Sequence, residues 1–352
     1  MLPTKRPNFA SDYMHGAHPA VWQSLCLHNL DGLAGYGSDP LTEGAKEKIR
    51  LACECPNADV RFFTGGTQAN ATVIAAYLQP WEGVISPDSG HIYTNEAGAV
   101  ENTGHKILAL PARAGKITAE QIAALLADYT ANPHRDHVIK PAMVYLSQPT
   151  EYGTLYSLEE LQKIRAVCNG YGLTLFVDGA RLAYALASPE NDVTLPDLAN
   201  LCDVFYIGGT KCGALFGEAV VIPDGGSKPY FLTVMKQHGA LLAKGWTVAL
   251  QFDALFENGL YQTVGQNAVE FADQIRTVLT RIGIPPCYGG STNQIFVRLS
   301  EEQMERLRPH VELPVFESDG GAGTLVRFVT SWATSKEDVN ALCEGLSHLL
   351  IP

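Results

Sequence analysis

No stretch of this 352-residue chain stays apolar for the roughly 20 residues of a membrane span, so no membrane partner is expected. Basic residues are scarce: 25 Lys and Arg stand against 37 Asp and Glu, for a net charge of −12, and no basic run offsets this locally. That balance excludes a nucleic-acid or anionic-membrane surface, though a local cradle can still hold one phosphate. A CxxC pair is missing too. The eight cysteines are scattered, with Cys53-Glu-Cys55 the nearest pair, so no metal is expected and the thiols read as reduced residues of a cytoplasmic protein. No apolar segment follows Met1–Asn8, so no secretory signal is read there. Internal repeats and low-complexity segments are also absent.

What is present is the composition of a compact enzyme, 46% hydrophobic and 18% charged, long enough for two domains. The chain is organised around residues 203–213, DVFYIGGTKCG. Its apolar run predicts a buried strand, broken by two glycines that deliver Lys211 into a tight turn. Desolvation there would lower the ammonium pKa below its free value of about 10.4 and leave neutral amine for addition to an aldehyde, as a Schiff base. The plain alternative is a loop lysine at the surface. A second apolar run, 173–177, ends in Asp178-Gly-Ala-Arg181. An acid at the carboxyl end of a buried strand is placed to meet a ligand, and an acidic partner for a pyridinium nitrogen is a recurring need of pyridoxal phosphate sites. Cys212, beside the lysine, reads as a small packing residue rather than a nucleophile.

Along the chain, residues 1–14 read as an irregular arm and 15–44 as a loop leading into a helix from about Thr42 to Cys53. Strands are expected at 60–63, 84–86, 106–110, 142–146, 173–177, 203–207 and 214–223. Between them lie helices that include 118–129, with a Thr118–Gln121 capping box, and one begun by Ser157 and Glu160 and ended by Gly170 and Gly172. The alternation implies a largely parallel sheet covered by helices on both faces. Beyond about residue 250 the pattern changes to a long helix near 262–281, strands at 293–299 and 325–329, and helices at 301–308 and 337–350.

Thr64-Gly-Gly-Thr67 lies between a strand and a helix. Glycines there let backbone N–H groups approach an anion, and the helix dipole favours it, so the turn can cradle a phosphate; a plain turn with Thr67 as N-cap is the alternative. His91 follows a strand and a polar turn, where it can stack on a ring or move protons. Arg181 and Arg327, the latter inside the apolar run LVRFV, offer planar forks for a carboxylate; structural ion pairs weigh equally for both.

These residues, in this order and over nearly the whole chain, resemble the threonine aldolase / β-eliminating lyase family of fold-type-I pyridoxal-phosphate enzymes. The resemblance implies an α/β fold with three parts: the arm 1–14, a large domain 15–250 with a mostly parallel seven-stranded sheet between helices, and a small α+β domain 251–352. It implies pyridoxal 5′-phosphate bound by Gly66, Thr67, His91, Asp178, Arg181, Thr210 and Lys211. Lys211 is then the Schiff-base residue, Asp178 the partner of the ring nitrogen and His91 the stacking residue and candidate base. Ser11, Arg181 and Arg327 would hold the substrate carboxylate. Thr210 replaces the family's serine before the lysine, and Gly239–Gly245 replaces a segment that reaches a neighbouring subunit's cofactor, so Lys244 takes over its positive charge. Ser147–Thr150 replaces a further family segment at the floor of the site. The implied reaction cleaves the Cα–Cβ bond of a small β-hydroxy amino acid, in a homodimer or homotetramer with sites at the dimer interface. A β-eliminating lyase or aminotransferase acting on another amino acid is the alternative, and a non-catalytic ligand-binding relative is a third reading.

Overall fold

The computed structural model describes residues 6–226, 228–318 and 323–350. Helix α1 (Pro19–Leu27) and helix α2 (Pro40–Ala52) come first. Asp39 caps α2 by accepting the Thr42 N–H at 2.8 Å, and Pro40 fills the first turn, so the helix starts two residues before its expected position. Helix α1, nine residues that also open on proline, falls where a loop is expected, because the Gly- and Asp-rich segment after it dominates the local composition.

Strand and helix then alternate. The order is β1 (Asp59–Phe63), α3 (Gly66–Tyr77), β2 (Glu82–Pro87), the single turn α4 (His91–Thr94), β3 (Ile107–Leu110) and α5 (Ala119–Ala131). There follow β4 (Lys140–Ser147), α6 (Leu158–Tyr171), β5 (Thr174–Asp178), α7 (Leu182–Leu186), α8 (Leu195–Leu201), β6 (Val204–Gly208) and β7 (Glu218–Ile222). Both expected capping boxes form. Gly172, at φ 69°, closes α6 in the left-handed region that favours glycine, whereas Gly170 lies inside the helix rather than ending it.

The seven strands make one sheet in the order β1-β7-β6-β5-β4-β2-β3. Its inner pairs are parallel, and β7 runs antiparallel to both β1 and β6. The strand expected over 214–223 is therefore only its second half. Residues 209–217 fold into a turn in which the N–H groups of Gly209 and Thr210 both donate to the Gly217 carbonyl at 3.0 Å. Reversal of β7 places its first residue, Glu218, level with the last residues of its neighbours, opposite Phe63 on one side and Gly208 on the other.

Helices α9 (Phe231–Gln237), α10 (Trp246–Leu255) and α11 (Leu260–Arg281) follow. Sequence patterning misses α10 because it is apolar nearly all round and buried, which erases the helical period. A second, three-stranded antiparallel sheet is built from β8 (Gln294–Leu299), β9 (Val315–Ser318) and β10 (Thr324–Val329), packed with α12 (Glu301–Leu307) and α13 (Lys336–Ser347). Among the described residues no helix is long and apolar enough to cross a membrane.

Helix α11 belongs to both units. Tyr261, Val264, Ala268 and Val269 pack into the core of the large sheet, while Ala272, Ile275 and Leu279 pack into that of the small one. Phe9 joins the small core from the other end of the chain, and its carbonyl accepts the Val329 N–H at 2.8 Å; residues 1–5 of the expected arm lie outside the described residues. Where α11 crosses α7, Gly265 lets the backbones meet: a Cβ there would sit 2.1 Å from the Ala183 carbonyl oxygen. Alanine is the better helix former by about 1 kcal/mol, but overpacking costs about 1–3 kcal/mol and more when backbone must move. Gly265→Ala is therefore expected to lower the thermal unfolding midpoint, and a midpoint at or above wild type would show that the two helices are not this close.

Candidate active site

A cavity of about 290 Å³ opens at the carboxyl ends of the parallel strands, where open α/β sheets place their ligands. Of the expected residues, Gly66, Thr67, His91, Asp178, Thr210 and Lys211 all line it. They come from four different strand ends, β1, β2, β5 and β6, brought together by the sheet. Lys211 is half-buried in the turn after β6, and the Tyr184 hydroxyl donates to its carbonyl at 2.5 Å. Cys212 is fully buried, with its thiol pushed up to about 12 by desolvation, as suits a packing residue.

The turn after β1 leads directly into α3. Gly65, in extended backbone, is the N-cap, and no side chain caps the helix, so Thr67 sits in its first turn and is not the cap. A twelve-residue helix thus points an uncapped N-terminus at the cavity. The absence of a side chain at Gly66 is needed, since a Cβ there would lie 2.9 Å from the Tyr206 hydroxyl oxygen. This cradle fits a phosphate group.

Asp178 is buried and held entirely by neutral donors. Its Oδ2 accepts the Tyr145 hydroxyl at 2.6 Å and Asn70 Nδ2 at 3.2 Å, and its Oδ1 accepts the Ala180 N–H at 3.0 Å. These donors bring no charge of their own, which leaves the carboxylate placed to meet a cationic ligand atom such as a pyridinium nitrogen. His91, at the start of α4, places Nδ1 2.8 Å from Glu96 Oε1, which also accepts Asn70 Nδ2 at 2.8 Å. One amide thus ties the histidine's partner to Asp178.

The arginines lie beside this cavity rather than on its lining. Burial opposes the charge on Arg181, but Asp12 holds it charged, with Oδ2 at 2.7 Å from Nε and Oδ1 at 3.2 Å from Nη2; its Nη1 lies 3.9 Å from Glu151. Arg327 donates to Gln294 Oε1 at 3.4 Å and to the Ala10 carbonyl at 3.2 Å, and stacks over Phe316. Burial and then the nearby Arg181 push its pKa down. Two guanidinium groups thus lie close together here, Arg181 paired to Asp12 and Arg327 with no carboxylate hydrogen-bonded to it among the described residues, and their forks suit a carboxylate. Ser11, next to Asp12, is buried and its hydroxyl accepts the Tyr13 N–H at 3.4 Å. Lys244 is exposed in the loop before α10 and does not line this cavity.

A profile of the β-eliminating lyase family matches residues 8–300. The chain belongs to the β-eliminating lyase family. It is 31% identical to a low specificity L-threonine aldolase of Pseudomonas aeruginosa over 342 residues, covering 96% of both chains. It is equally similar, at 31% over 348 residues and 97% of both chains, to a low specificity L-threonine aldolase of Pseudomonas sp. strain NCIMB 10558. Among solved structures, a threonine aldolase of Leishmania major superposes with a TM-score of 0.94 at 38% identity, covering 98% of this chain and 99% of that one. An aspartate aminotransferase of Thermus thermophilus, at 15% identity, shares the fold with a TM-score of 0.72.

Several residues of this β-eliminating lyase site escape sequence reasoning. Tyr13, Glu151, Tyr206 and Glu218 line the cavity, and Asn70, Glu96 and Tyr145 stand behind it. Glu218 alone carries a sequence signal, as a charge opening the otherwise apolar run EAVVI. Glu96 has none, because only the loop geometry of 91–96 brings it to His91.

Burial disfavours the His91 charge, but the hydrogen bond to Glu96 and the fields of Glu151 and Asp178 win and raise its pKa above the ordinary 6.5. A raised imidazole pKa adds stability that is complete below 6.5 and is lost as pH rises through the folded midpoint. In Glu96→Gln the burial stays and the anion goes, so the His91 midpoint is expected to fall. NMR titration of the labelled imidazole measures this, and an unchanged midpoint would assign the shift to other groups.

Proposed function

We propose that this chain is a pyridoxal-phosphate-dependent aldolase that cleaves the Cα–Cβ bond of a β-hydroxy amino acid, threonine or a relative, to glycine and an aldehyde. The carrying observation is that Lys211, Asp178 and the uncapped α3 turn open onto one cavity. The names of the relatives, all threonine aldolases, favour this reaction over other lyases.

When bound, the pyridoxal ring supplies an electron sink for charge developing at the substrate α-carbon. The protein's residues have four tasks. Gly65–Thr67 and Thr210 bind the phosphate, and Lys211 supplies the amine that anchors the aldehyde carbon. Asp178 holds the proton on the ring nitrogen. Arg181 and Arg327, with Ser11, would hold the substrate carboxylate and so fix which bond at the α-carbon reacts. His91 would lie against the ring and, with Nδ1 on Glu96, has Nε2 free to take the β-hydroxyl proton. The division into an arm 1–14, a large domain 15–250 and a small domain 251–352 is part of this reading, with α11 shared between the two cores.

Lys211→Ala is expected to fold, to lose covalently held cofactor and to lose glycine production from L-threonine. Identification of products from a panel of β-hydroxy and β-substituted amino acids tests the reaction class. A 2-keto acid in place of glycine and aldehyde would make it another lyase or an aminotransferase.

The exposed Lys244 fits a role in trans: in a homodimer it would meet the phosphate bound by the other copy's turn. Mixing Lys244→Ala with Lys211→Ala under subunit exchange then leaves each heterodimer one site with both lysines, so activity should partly return. A mixture that forms heterodimers, seen by native mass measurement, but stays inactive would place Lys244 in cis, and a Lys244→Ala protein that is fully active by itself would place it outside the site.

A further inference from the structure

The reversed strand β7 puts a carboxyl group beside the phosphate cradle, where a second anion is least welcome. Glu218 is buried and lines the cavity together with Gly65–Thr67, Thr210 and Lys211. It faces the last residue of β1, from which the cradle starts, and the last residue of β6, from which the lysine turn starts. Its Oε2 accepts the Gly209 N–H at 3.1 Å. The ionisable groups facing it are Lys211 and Cys212 from the turn after β6, Tyr206 from β6, Asp178 from β5 and Tyr261 from α11; β1 and the α3 turn present none in the cavity. Thus one cation faces two carboxyl groups even before a phosphate arrives.

We propose that Glu218 takes up a proton as the cofactor phosphate docks on the Gly65–Thr67 turn, and that the neutral acid then donates a hydrogen bond to the phosphate. This rests on the reading of that turn as the phosphate site. Two anions that share one site raise one another's pKa, so a proton binds there more readily once the phosphate has docked. A phosphate monoester has its second pKa near 6. Burial pushes Glu218 up to about 8, against the opposing pull of Thr210, Lys211 and Gly209. The proton therefore resides on Glu218 and the phosphate stays a dianion, which suits the helix N-terminus. The proton comes from solvent. With Oε2 on Gly209, the other oxygen is the one that carries it. Docking a dianion raises the carboxyl pKa further, and by linkage phosphate affinity falls by up to about tenfold per pH unit above the free-state midpoint.

The test uses full-length apoprotein and two probes that cannot condense with Lys211, pyridoxamine 5′-phosphate and pyridoxamine. Calorimetry in buffers of different ionisation enthalpy counts protons taken up from pH 6.5 to 9. The expected result is an uptake that grows through pH 8, to about half a proton at the midpoint, for the phosphorylated probe alone. Glu218→Gln should bind that probe with no such uptake and a flatter pH profile, and Glu218→Asp should restore part of it. Uptake that persists in Glu218→Gln overturns the proposal and leaves the phosphate turn standing. Equal affinity for the two probes overturns both together, since the phosphate would then contribute nothing. The wild-type comparison decides the matter even if a variant fails to fold. A wild-type protein with no uptake overturns the proposal, as would follow if a cation from a second copy held Glu218 ionised.

Discussion

A carboxylate removed from water must find a donor, a cation or a proton, and this site buries four. Each is satisfied differently. Asp12 takes the guanidinium of Arg181, which with Lys211 outweighs burial and holds its pKa down. Glu96 takes His91 and Asn70, with Oε2 left unpartnered. Asp178 takes neutral donors and is left to meet a cationic ligand atom. At Glu218 burial prevails over the help of the Thr210 hydroxyl, the Lys211 charge and the Gly209 N–H. The fold holds these groups apart, on the N-terminal segment, the loop after α4, the end of β5 and the start of β7, and the chemistry of the cavity follows from how each is compensated.

The asymmetry between Asp178 and Glu218 illustrates how environment assigns roles to like groups. Both lie at strand ends on the same edge of the sheet, one on a parallel strand and one on the reversed strand. The phenol of Tyr145 and the amide of Asn70 stabilise an anion at the first position without cancelling its charge. At the second, the anion is poorly compensated.

Much of this was legible in the sequence because the motifs are local. A strand that ends in Asp178, a strand that ends before Lys211, and a Gly-Gly turn before a helix are all read from neighbours along the chain. The capping boxes of α5 and α6 are local too, and they formed where their spacing put them. Partnerships across the fold were not legible. Glu96 is met by an amide 26 residues away and Arg181 by Asp12 at a separation of 169, and no spacing announces either. Helix α10 was lost for a different reason. A helix buried on all sides has no polar face to set a period. The extent of β7 was overestimated because the glycine turn before it is as apolar as the strand.

The small core closes around residues from both ends of the chain, since Phe9 packs with Ala272, Ile275 and residues of α13. During synthesis Phe9 emerges early and its partners follow more than 260 residues later. At about 5–20 residues per second that interval is tens of seconds. The large sheet can assemble in this time, but the N-terminal segment cannot dock. Asp12, on the same segment, is the main partner of Arg181, so the arginine beside the cavity gains its counter-ion only when that segment docks. The site is thus completed by a segment that the small core, more than 260 residues further along the chain, holds in place.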